Sequence, residues 1–181
     1  MHPIMAELHQ DHINLSRLLG LLDRQLQLFQ ADEPPDYFLL LDLVEYMESY
    51  PDLIHHPRED MIFRVYLEQN QRGEEAIHQL MDEHKSLLAH SHELRNLLEQ
   101  TSQGSVSPRA AVEESLAHYL AVQRNHLNTE EGKVFALLND ALMPEEWARV
   151  QSEITISSDP LFGGEVQKRY QAIFDLIMAV S

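Results

Sequence analysis

Two tetrads of the form HxxxE, His55…Glu59 and His126…Glu130, are the residues of this chain best suited to chemistry. On a helix each tetrad places an imidazole and a carboxylate one turn apart on one face, a donor pair that suits iron, manganese or zinc. A carboxylate can bridge two ions and an imidazole cannot, so two such tetrads can supply the bridges of a dinuclear centre. Two more histidines each follow an acid, in Asp11-His12 and Glu83-His84. The order acid-His then HxxxE therefore occurs twice. His12 and His55 are 43 residues apart, His84 and His126 are 42 apart, and the two halves are offset by 72 and 71 residues. The chain has no cysteine, which excludes disulfides, thiolate zinc sites, iron–sulfur clusters and a cysteine nucleophile. Any metal must be held by nitrogen and oxygen, and His12, His55, Glu59, His84, His126 and Glu130 are the candidate ligands.

These residues converge only if four helices carry them. Helix formers dominate, and the breaks fall at residues 32–36, 69–73, 101–108 and 155–164, which cut the chain into four long segments and a tail. The first segment has Met5, Leu8, His12, Leu15, Leu19, Leu22, Leu26 and Phe29 at steps of three and four. The third repeats this with Ile77, Leu80, His84, Leu87, Ser91, Leu94 and Leu98. Both are seams of packed helices, with one histidine among leucines. No run alternates at period two, so no strand is predicted. Short connections make neighbours antiparallel, and the predicted fold is an all-α, up-down-up-down four-helix bundle over residues 1–142. The midpoints of His12/His55, His55/His84 and His84/His126 all fall in predicted turns, so the four histidines share one layer.

Ser107 reads as an N-cap with Pro108 at the first helical position, and Gly73 reads as the end of the second helix. Pro51 and Pro57 lie inside that helix and each removes a backbone donor, so a kink is expected near Pro51. Residues 143–181 are expected to belong to the same domain, adding a short helix at 145–153 and a last one at 165–180. Its stripe of Val166, Tyr170, Ile173, Phe174 and Ile177 would cover the bundle.

A lone HxxxE is weak, since His56 and His78 also have an acid four residues on; the duplication carries the argument. Asp60 and Glu131 read as supporting or surface groups. Asp11 and Glu83 point about 100° away from the histidines they precede and read as surface. His78, His90, His92 and His118 read as solvated, His2 as frayed, and Tyr66 and Tyr119 as core. A formal charge of −17 excludes nucleic acid and an anionic membrane surface as partners and favours cations. The N-terminus lacks a basic segment followed by an apolar run, and no apolar stretch approaches the ~20 residues of a membrane span. A cytoplasmic location is the expectation.

The segments LHQDHINL, HHPREDMIF, MDEHKSLL and NHLNTEEGKVF resemble the signatures of the hemerythrin-like, or HHE cation-binding, family, over Met1 to about Leu142. The resemblance implies a non-haem di-iron centre with carboxylate bridges, two iron ions (Fe2+/Fe3+), and ligands at the six residues named above. Manganese and zinc suit the same donors. Oxygen-carrying members have a second histidine one turn after the first in the third helix. Here that place is Leu88, and one turn before is Leu80. A position beside His84 is thus left open, or His9 or His56 replaces the missing nitrogen. The implied function is binding or sensing of oxygen, peroxide or nitric oxide, in a stress response and with a redox partner. The alternatives are a di-iron oxidase or peroxidase and an iron storage or handling protein.

Overall fold

The computed structural model describes residues 1–103, 109–154 and 157–179. Among these there is no strand, and the chain runs as helices joined by short turns. The first long helix, α1 (Pro3–Gln30), starts with Pro3 at its first turn, where the missing N–H is no loss. Its buried residues include Met5, Leu8, His12, Leu15, Leu19, Leu22, Leu26 and Phe29, the seam read from the sequence. The second bundle helix is composite: α2 (Tyr37–Ser49), a π-turn (Pro51–His55) and α3 (His56–Leu67). Asp36 caps α2, its side chain accepting from the N–H groups of Phe38 and Leu39. The third, α4 (Glu74–Ser102), buries Ile77, Leu80, His84, Leu87, Ser91, Leu94 and Leu98. The fourth is composite again, with α5 (Arg109–Thr129), a π-turn (Glu130–Val134) and α6 (Phe135–Ala141). The expected Ser107–Pro108 start of this helix lies outside the described residues.

The kink expected at Pro51 takes the form of a π-turn. Pro51 cannot donate, and the winding loosens so that the His55 N–H reaches the Tyr50 carbonyl at 3.1 Å, five residues back. The second π-turn has no proline, yet the Phe135 N–H also reaches back five residues, to the Glu130 carbonyl. Both composite helices are thus unwound at their HxxxE tetrads, the positions where π-turns tend to mark functional sites.

α1 packs chiefly on α5, and α2 on α4. Among the described residues the apolar interior forms two clusters, one around Leu15, Leu43, Leu94 and Leu116 and the other around Leu8, Phe63, Leu80 and Val134. His12 falls between Leu8 and Leu15, and His55 and Glu59 between Tyr50 and Ile62, so the polar layer separates the two clusters. In the tail, α7 (Pro144–Glu153) buries Trp147 and Val150 in the second cluster, and α8 (Gln171–Met178) buries Ile173 and Ile177 in the first. Tyr170, just before α8, joins the first cluster, and Val166 and Phe174 pack against it. His2 is held: its ring stacks on Trp147 at 4.1 Å and its N–H donates to Asn139 Oδ1 at 2.8 Å. No helix among the described residues is long and apolar enough to cross a membrane.

Gly73 does not close the second helix but opens the third. It sits at the N-cap of α4 with φ +77°, and a Cβ there would meet Leu137 Cδ1 at 2.7 Å. A left-handed residue with a side chain costs about 1–2 kcal/mol, before any clash is relieved. Gly73→Ala is therefore expected to lower stability by at least about 1 kcal/mol, read from the urea midpoint at unchanged slope.

Candidate metal centre

The four bundle helices deliver seven histidine and glutamate side chains to one layer. His12 comes from α1, His55 from the first π-turn, His56 and Glu59 from α3, His84 from α4, His126 from α5 and Glu130 from the second π-turn. All seven are buried. Ligand atoms of His56, Glu59, His84 and His126 lie within 4.8 Å of one another, as do those of His12, His55 and Glu59. The six predicted ligands are brought together, and His56 is with them. His9 is not: half exposed, it holds Glu131 Oε1 at 2.9 Å. Of the two candidates to stand in for Leu88, His56 is the one beside His84, its ring stacked on that of His84 at 4.3 Å.

Two carboxylates span the layer. Glu59 turns Oε1 to His12 and His55, at 3.2 and 3.3 Å from their Nε2 atoms, and Oε2 to His84 at 3.6 Å. Glu130 turns Oε2 to His12 at 3.4 Å and Oε1 to His84 and His126 at 3.3 and 3.2 Å. Each glutamate therefore addresses both halves of the layer, one oxygen to each.

Behind the imidazoles stands a second set of acids, and its connectivity is cyclic. Asp11 of α1 meets His55 Nδ1 at 3.0 Å, and Asp60 of α3 meets His84 Nδ1 at 2.8 Å. Glu83 of α4 meets His126 Nδ1 at 2.9 Å, and Glu131 of the second π-turn meets His12 Nδ1 at 2.8 Å. Each bundle helix supplies the acid that holds the next helix's histidine, and the fourth returns to the first. Asp11 and Glu83, expected at the surface, have side chains only 13% and 22% exposed. They do point away from their own histidines, but toward the neighbouring helix, which the one-helix argument did not consider. With the acids ionised, each of these four imidazoles keeps a proton on Nδ1 and turns Nε2 inward, where it can bind a cation once it has given up its own proton.

That inward arrangement fits a cation. His12 Nε2 and His55 Nε2 are 3.1 Å apart, about the spacing of two ligands held at right angles ~2.1 Å from one ion. Both Glu59 oxygens, Glu130 Oε2 and His126 Nε2 are buried without a hydrogen-bond partner among the described residues. Such orphaned groups are costly in an apolar interior unless a cation or proton satisfies them. The residues' own electrostatics say the same. Burial would depress the His12 and His84 pKa values, but the acids around each outweigh it and hold both at about 10. Burial would raise Glu59, yet His55 and His12 keep it well below the usual carboxylate range. The carboxylates thus attract positive charge into the layer. His56 differs: burial, helped by His84 and His55, takes it down to about 3, so it is neutral and free to donate a lone pair.

The remaining histidines lie off the layer. His78 pairs with Glu74 at 3.6 Å, His92 with Glu48 at 3.7 Å, and His90 stands against His118. Tyr66 and Tyr119 are core residues with satisfied hydroxyls, Tyr66 on the Arg72 carbonyl and Tyr119 on Ser91 and Gln123. Sequence reasoning missed Asp52, buried at 3.2 Å from His56 Nδ1. Its signal was present: Glu48, Asp52 and His56 follow one another at steps of four.

Because the supporting acids orient the imidazoles, Asp11→Asn and Glu83→Gln are each expected to weaken metal binding about 10- to 100-fold. Competition with a chelator of known affinity measures it. His78→Ala, remote from the layer, should bind as the unaltered protein does.

Comparison with curated proteins and with solved structures gives no match. The family model described as the hemerythrin HHE cation binding domain does match, over residues 4–138, which reaches all four bundle helices and takes in every residue of the layer. The chain belongs to the hemerythrin HHE cation-binding family.

Proposed function

We propose that the layer holds two iron ions bridged by Glu59 and Glu130 and that the pair binds small ligands such as oxygen, nitric oxide or peroxide. The observation that carries this reading is the paired orientation of the two glutamates, each turning one oxygen to His12 and the other to His84. A carboxylate serving one ion would have no reason to face both halves. Family membership supports a cation in this place. The nitrogen and oxygen donors suit iron and would also accept manganese or zinc.

The two halves are unequal. His56, His84 and His126 would hold one ion with three imidazoles, while His12 and His55 would hold the other with two. In this reading room for an exogenous ligand would lie on the His12–His55 side, not beside His84. When bound, the iron pair would supply an unsaturated, electron-rich position there. The protein contributes the setting. Phe135 stacks on His12 at 4.9 Å, and Leu8 and Leu15 occupy the turns before and after it on α1. This apolar wall disfavours bulky ligands, and Glu131 and Asp11 fix the two rings that face the position. A redox partner and a stress role in the cytoplasm belong to the same proposal.

Anaerobic loading with ferrous ion is expected to give two irons per chain, and nitric oxide or azide should then shift the visible spectrum. His56→Ala should lose one ion, and His9→Ala should lose neither. Two irons with a spectrum that neither ligand alters would mean that protein side chains saturate both. Iron storage or handling would then replace small-ligand binding.

A further inference from the structure

Beside the layer stands a cluster of phenols, each differing from phenylalanine only by a hydroxyl that must then find a partner. Tyr50, Tyr46 and Tyr170 are all buried, and they follow one another with ring centroids 6.1 and 5.5 Å apart. The first of them is tied to the layer. Its hydroxyl donates to Asp11 Oδ2 at 3.4 Å, the same oxygen that His55 Nδ1 meets at 3.0 Å. The other supporting acids have different neighbours: Asp60 also meets Arg64, Glu83 meets Gln79 and Glu131 meets His9. A path of short contacts thus runs from His55, in the half of the layer with room for an exogenous ligand, to the Tyr46 ring.

Tyr46 has what an oxidisable phenol needs, which is a base within hydrogen-bond reach. Its hydroxyl donates to Asp159 Oδ2 at 2.9 Å, the shortest hydroxyl contact of the three. Asp159 is itself buried, and it spends its other oxygen on the N–H groups of Leu161 and Phe162 at 2.7 and 3.0 Å. The turn at Leu161 thus accounts for Oδ1, and Oδ2 is left to the phenol. Burial, and then the charge of Asp159, push the Tyr46 phenol up, so it stays protonated at neutral pH. A phenol that loses an electron becomes a strong acid and gives up its proton along that bond. Burial also raises Asp159, which makes it the better base. Asp159 borders a surface cavity of about 230 Å³, through which the proton can pass to solvent.

We propose that Tyr46 is a redox-active residue, which supplies one electron to the iron pair through Tyr50, Asp11 and His55 while its phenolic proton moves to Asp159. This inference rests on the reading of the layer as a di-iron centre. Peroxide takes up two electrons and two protons and leaves as two waters. A half-reduced pair, with one ferrous and one ferric ion, has one electron to give. Tyr46 supplies the second and solvent supplies the two protons. The products are two ferric ions, two waters, a neutral radical on Tyr46 and a protonated Asp159. The oxidising equivalent is thereby held away from the ligands that would otherwise bear it.

The test is electron paramagnetic resonance of iron-loaded protein brought to half reduction, mixed with one equivalent of hydrogen peroxide and frozen at successive times. The signal of the half-reduced pair should vanish and that of a tyrosyl radical should appear. Tyr46→Phe should remove the radical, whereas Tyr66→Phe and Tyr119→Phe should keep it. Asp159→Asn keeps the shape of the site but cannot take the proton, so it should slow radical formation on the order of 100-fold. Loss of the half-reduced signal with no tyrosyl radical, or a radical that persists in Tyr46→Phe, would overturn the role of Tyr46 and leave the di-iron centre standing. If Tyr46→Phe fails to fold, Asp159→Asn decides alone, and a rate within twofold of the unaltered protein would overturn the proposal. Iron-loaded protein that gives no half-reduced signal would instead sink the di-iron reading, and the redox role of Tyr46 with it.

Discussion

Seven ionisable side chains buried in one layer of an apolar interior must each find a partner, and this requirement shapes the rest of the bundle. The cyclic set of acid–imidazole pairs meets half of it. Each pair crosses from one bundle helix to the next, so His12, His55, His84 and His126 are each oriented by a neighbouring helix. The loop closes only with four helices in this order. Removing one partner of a buried pair typically costs about 3–5 kcal/mol, because the other is left uncompensated. The inward atoms meet the other half only through a proton or a cation, which is why the layer reads as a cation site before any family is considered.

The backbone yields to the layer where it must. Both π-turns fall at the HxxxE tetrads, and in the first the looser winding brings two successive histidines inward. In a regular α-helix His55 and His56 would diverge by about 100°. Here both rings are buried, with centroids 5.6 Å apart. This local departure gives one half of the layer its third imidazole and leaves the other half with two. In the proposed centre that inequality decides where an exogenous ligand binds.

Most of the architecture was legible in the sequence because burial follows helical periodicity. The seams of α1 and α4 contain the residues their spacing indicates, and the midpoint rule placed the four histidines in one layer because the turns are short. What was not legible depended on relations between helices. Asp11 and Glu83 looked superfluous when judged against their own helix and became essential when judged against the next. On paper His9 came before His56, whose 100° offset from His55 counted against it. The structure, with a π-turn that periodic reasoning does not represent, brings His56 to the layer and leaves His9 outside it. Gly73 was read as a helix end because a left-handed glycine usually terminates a helix, whereas here it turns the chain into α4.

The central claim is that Glu59 and Glu130 bridge two ions within one layer. X-ray absorption fine structure at the iron edge of the iron-loaded protein tests it most directly. The account predicts nitrogen and oxygen neighbours only, together with an iron scatterer at or below about 4 Å, the separation typical of paired metal sites. A single isolated iron per chain, with no second metal in its scattering shell, would contradict it.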